Sequence, residues 1–99
     1  MRQLSAFQEE TETALNQALR AVGSALVDRR LDGRDETYIR ARARGLDAEL
    51  FIYAGEAGVW GPGINRRFET PDYENSSALS AAFISTIVDL LRDSGGKSN

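Results

Sequence analysis

Apolar residues recur at Leu4, Phe7, Leu15, Ala18, Leu19, Val22, Leu26 and Val27, mostly three or four positions apart. That is the spacing of one helical face, and it predicts a single long helix from about Ser5 to Arg30. Ser5 followed three residues later by Gln8 makes a capping box, and Glu9 and Glu10 suit the positive end of the helix dipole. Arg29 and Arg30 suit the negative end, and Leu31-Asp32-Gly33 stops the helix with Gly33 as the left-handed residue. The pattern then changes to alternation over residues 36–44, which predicts a strand. After a turn at Gly45-Leu46-Asp47-Ala48, residues 49–54 form a second strand rich in aromatic and branched side chains. Glycines at 55, 58, 61 and 63 and a proline at 62 break the chain around Val59-Trp60. A shorter third strand follows over residues 64–70. Leu79, Phe83, Ile87, Leu90 and Leu91, widened by Ile84 and Val88, then mark a buried helix over residues 77–92, with Ser76 or Ser77 as its N-cap.

The order is α-β-β-β-α. It predicts one α+β domain over residues 1–93, a three-stranded antiparallel sheet with a long N-terminal helix and a C-terminal helix packed on one face. Residues 94–99, DSGGKSN with Asp93, read as a flexible tail. This element order resembles the double-stranded-RNA-binding domain over most of the chain. That family presents a lysine cluster at the start of its last helix. Here the matching stretch is Ser76-Ser77-Ala78-Leu79-Ser80-Ala81, with no basic residue.

The 99 residues suffice for one core without staples. Cysteine and histidine are both absent, which removes thiolate chemistry, the commonest general base and the commonest transition-metal ligand. No serine or threonine has a histidine to activate it; Glu9, Glu10 and Glu12 fall on a helix surface, and Asp72 and Glu74 in a loop. The expectation is a protein that is not an enzyme and carries no cofactor or metal. No basic stretch followed by an apolar core opens the chain, and no apolar run approaches the ~20 residues of a membrane helix. A cytoplasmic location without a membrane partner is therefore expected. A net charge of -3 and a pI near 4.9 disfavour a bulk nucleic-acid binder.

Against that acidity stands Thr37-Tyr38-Ile39-Arg40-Ala41-Arg42-Ala43-Arg44-Gly45, three arginines on alternate positions. Placing Arg44 opposite Glu49, or a register shifted by two, turns Ile39, Ala41, Ala43, Leu50 and Ile52 to the core. The other face then carries Tyr38, Arg40, Arg42, Arg44, Phe51, Tyr53 and Arg67. Arginine stems lying over aromatic rings explain the row as a solvated face. The same residue types also suit a protein partner or a single-stranded nucleic acid.

A 25-residue helix spans roughly 37 Å, against about 23 Å for a seven-residue strand. The first helix is therefore expected to overhang the sheet and expose Leu4 and Phe7, with a homodimer through that helix as the simplest outcome. Trp60, between glycines, either folds over the core edge or stands out as an anchor. The leading expectation is a small protein-binding domain using Leu4, Phe7 and Trp60. Its alternative is a nucleic-acid-binding module on the arginine and aromatic face. A weaker third reading is a small-molecule sensor between the sheet and the long helix.

Overall fold

The computed structural model describes residues 4–96 and places two helices on one face of a five-stranded antiparallel sheet. The elements are α1 (Ala6–Ala21), β1 (Leu26–Asp32), β2 (Tyr38–Ala43), β3 (Glu49–Ile52), β4 (Glu56–Gly61), β5 (Ile64–Glu69) and α2 (Ser76–Gly96), with short 3₁₀ turns after β1 and β5. The strands lie in chain order, β1-β2-β3-β4-β5, as a plain meander.

The predicted long helix is corrected. α1 has 16 residues and ends where Gly23 adopts φ +76°. Ser24 then donates its hydroxyl to the Arg44 carbonyl and delivers the chain into β1. Two features disguised that strand. Leu26 and Val27 continue the helical spacing of Leu19 and Val22. A β-bulge between Val27 and Arg30, with Asp28 at φ +53°, also breaks the alternation. Leu26 and Leu31 are five residues apart and would face opposite sides of a regular strand. The extra residue of the bulge turns both toward the helices, opposite Ala43 and Ile39.

The three-stranded sheet is corrected for a second reason. The glycine-rich stretch is a strand, β4, paired with β3 through Leu50↔Val59 and Ile52↔Ala57. Pro62-Gly63 closes a two-residue hairpin into β5, with Gly63 at φ +80°. Gly61 is glycine because a Cβ there would stand 2.5 Å from the Asp47 carbonyl oxygen. With five strands the element order no longer follows the double-stranded-RNA-binding domain.

One core lies between the helices and the sheet. Leu15 and Leu19 of α1 and Leu79, Phe83 and Ile87 of α2 pack on Ile39, Leu50, Ile52, Ala57, Val59 and Phe68. The capping box is present as the sequence suggests, Gln8 N–H to Ser5 Oγ at 3.2 Å and Ser5 N–H to Gln8 Oε1 at 2.8 Å. Gln8 is itself buried and donates Nε2 to the carbonyls of Thr37 (3.0 Å) and Ile52 (3.1 Å), fixing the helix start to β2 and β3. Sixteen residues span about 24 Å, comparable with the sheet, so no overhang exists. Leu4 and Phe7 pack against the core instead. At α2 the cap is Asn75, whose Oδ1 accepts from Ala78 N–H at 2.9 Å, rather than Ser76 or Ser77. The helix continues to Gly96, beyond the predicted end at Arg92, and the rest of the predicted tail, 97–99, lies outside the described residues.

Candidate interaction surface on the open sheet face

Each strand sends alternate side chains away from the helices. The register arranges them in three rows. The first is Val27, Arg42, Glu49, Trp60 and Asn65. The middle row is Arg30, Arg40, Phe51, Gly58 and Arg67. The third begins with Asp32 and Tyr38, continues with Tyr53 just past β3, and ends with Glu56 and Glu69. The β2–β3 register is the one shifted by two, with Arg42 opposite Glu49 and Arg40 opposite Phe51. A shift of two preserves which residues share a face, so Tyr38, Arg40, Arg42, Phe51, Tyr53 and Arg67 come together as expected. Arg44 does not join them. It lies past the end of β2 and donates Nη2 to the Gly23 carbonyl at 3.2 Å.

The middle of this face is aromatic. Phe51 stacks near-parallel to Tyr53 and meets Trp60 edge-on at 5.8 Å, while Tyr38 and Tyr53 lie 4.7 Å apart. Gly58 sits opposite Phe51 and has no side chain, which leaves a hollow of about 90 Å³ walled by Phe51, Trp60 and Arg67. Phe51 is buried. Trp60 is not: it is 52% exposed, the largest apolar side chain on the surface among the described residues.

The arginines on this face are engaged. Arg40 donates Nε and Nη2 to Glu49 at 2.6 and 2.8 Å, donates Nη1 to Asp32 at 3.0 Å, and lies over the Phe51 ring. This clamp raises the Arg40 guanidinium above its ordinary value, with Glu49 the larger cause. It also holds the Glu49 carboxyl below the usual carboxylate range. Asp32 is lowered too, first by the Gly33 N–H and then by Arg40. Arg67 bridges Glu56 and Glu69, which otherwise face each other across β4 and β5 as like charges. Arg42 has one loose contact, Asp47 at 3.4 Å. Partial burial beside Tyr38 pushes the Tyr53 hydroxyl up.

Elsewhere, the space between sheet and first helix is filled by Leu15 and Leu19, both fully buried, which removes the cavity that the sensor reading required. A groove of about 570 Å³ lies on the outer side of the helices, lined by Phe7, Thr11, Ala14, Ile84 and Val88 among others. No group of three or more carboxylates that could hold a metal ion occurs among the described residues. None of their helices is long and apolar enough to cross a membrane. No family model, curated protein or solved structure matches the chain. What remains is the class defined by the geometry: an α+β two-layer domain with one sheet face covered and the other open.

Proposed function

We propose that this chain is a small non-enzymatic protein-binding domain that presents the open face of its sheet. One observation carries the reading. Trp60 stands half-exposed beside a ring cluster whose arginines are tied to carboxylates. Tryptophan, tyrosine and arginine around a covered centre are the residue types that dominate protein interfaces. A surface that grips phosphates needs arginines free to release counterions, and here Arg40 and Arg67 each answer two carboxylates of their own chain. The nucleic-acid reading keeps one supporting feature, the run of rings from Tyr38 to Trp60 on which bases could stack. Leu4 and Phe7, packed on the core, leave Trp60 as the anchor.

The test is photocrosslinking in the cells that express the chain, with a photoreactive phenylalanine analogue at Trp60 and, as control, at Gln17 on the outer side of α1. The expected result is a discrete protein adduct from position 60 and none from position 17. A nuclease-sensitive adduct would replace this reading with the nucleic-acid one. Absence of any adduct from position 60 would remove it.

A further inference from the structure

We infer that the partner seated on the open sheet face is a second copy of this chain, related by a two-fold axis that runs along β3. The inference rests on the protein-binding reading of that face and adds the partner's identity.

The argument is charge complementarity within the grid of outward residues. The β1–β2 flank carries Arg30, Arg40 and Arg42 against Asp32. The β4–β5 flank carries Glu56 and Glu69 against Arg67. One side of the face is basic and the other acidic, with Phe51 near the middle. A self-complementary surface is what a two-fold interface demands, because each patch must meet its own counterpart.

An axis along β3 lays β2 of one copy over β4 of the other, and β1 over β5. The basic flank of each copy then covers the acidic flank of its mate, twice. In the first row, Arg42 comes over the second copy's Trp60. Arg42 holds only the Asp47 contact at 3.4 Å, and Trp60 is the most exposed ring on the grid, 52% exposed. A guanidinium over an indole is the favoured cation–π pair, and two-fold symmetry makes two of them. Packed sheets cross at about 30°. That angle slides the outermost strands by roughly one row, carrying Arg30 away from the second copy's Arg67. One direction of slide brings Arg30 to Glu69; the other brings Asp32 to Arg67. Both juxtapose opposite charges. Axes perpendicular to the strands lack this feature, because they lay each strand over itself and set Arg40 against Arg40.

The experiment is light scattering during size-exclusion chromatography on the purified full chain, with two charge-reversed variants. Arg30→Glu/Arg42→Glu makes both flanks acidic, and Glu56→Arg/Glu69→Arg makes both basic. The expected result is a dimer for the natural chain, self-association weakened by about tenfold or more for each variant alone, and a dimer restored on mixing the two. Mixing restores affinity only if the flanks meet each other, since it cannot repair a folding defect. A natural chain that stays monomeric at its solubility limit would overturn the inference, as would a dimer indifferent to both variants.

If either variant fails to fold, the single tryptophan serves instead. Dilution through the dimer–monomer transition should shift Trp60 emission to the red and raise its quenching by acrylamide. A dimer that dissociates with no change at Trp60 uses another surface and also sinks the inference. The two proposals fail separately. A monomeric chain that still crosslinks from position 60 to a different protein loses the second copy and keeps the protein-binding face.

Discussion

The two faces of this sheet are built by the same strands from alternate residues, yet they solve different problems. The covered face carries Ile39, Leu50, Ile52, Ala57, Val59 and Phe68, all nearly inaccessible and none of them polar. The open face carries charges of both signs around a ring cluster, with one large ring in solvent. Folding accounts for the first arrangement: burial of apolar area drives it, and close packing makes it intolerant of change. Folding accounts for the second only in part. Ion pairs between half-exposed side chains contribute little to stability, and an exposed tryptophan contributes less than a buried one. The residues that stability does not require are therefore concentrated on one side of the molecule.

The sharpest way to break this contrast is to truncate one large ring on each face. Phe83 is fully buried and meets Phe68 edge-on at 5.7 Å. Phe83→Ala should cost about 3–5 kcal/mol in urea unfolding, enough to threaten folding of a domain this small. Trp60→Ser should cost about 1 kcal/mol or less, chiefly the edge contact with Phe51. Comparable losses at the two positions would show that the open face is also part of the folding core.

The sequence made the covered face more legible than the open one, for identifiable reasons. Strict alternation through Tyr38-Ile39-Arg40-Ala41-Arg42-Ala43 declares which side is buried, and an error of two in register leaves that answer unchanged. The α2 stripe of Leu79, Phe83 and Ile87 is equally plain. β1 was hidden by a bulge, because an added residue cancels the period on which strand recognition depends. β4 was hidden by glycines that ordinarily end strands; Gly58 sits mid-strand opposite Phe51 and lines the hollow beside the rings. On the open face the arginine row announced itself, but its carboxylates did not. Asp32 ends β1, where the sequence pattern predicts only a helix stop, and Glu49 reaches Arg40 diagonally, from the position opposite Arg42. The repeated arginines are thus a charge-balanced lattice rather than a free cationic strip.

That lattice predicts a measurable acid response. Glu49 and Asp32 both titrate below their ordinary values in the folded chain. A lowered carboxyl contributes stability that is complete above the unfolded-state value, about pH 4, and is lost as pH falls through the lowered folded-state value. The natural chain should therefore lose stability progressively below about pH 5. In Arg40→Gln, Glu49 loses the first cause of its shift, whereas Asp32 keeps its principal one, the Gly33 N–H at 2.8 Å. The variant should start less stable at neutral pH and fall less steeply in acid, with Glu49 supplying most of the change. Melting temperatures from pH 7 to pH 3 test this, and parallel curves for the two chains would deny the clamp a role in folding.

Among the described residues the covered side holds one flaw, and it gives the smallest effect. Thr11 of α1 is 1% exposed, and its Oγ1 has no hydrogen-bond partner. An orphaned buried hydroxyl loses its hydration without replacement, a penalty of about 1–3 kcal/mol that an apolar group of the same shape avoids. Valine has that shape and a similar helix propensity. Thr11→Val should therefore raise stability by about 1 kcal/mol, a gain of several degrees in melting temperature for a domain of this length. Thr11 is among the residues lining the groove between α1 and α2. A stability loss in Thr11→Val would mean that the hydroxyl has a partner in solution, a trapped water being the simplest. The groove would then hold a polar site, and the uneven distribution of unexplained chemistry between the two sides of the molecule would no longer stand.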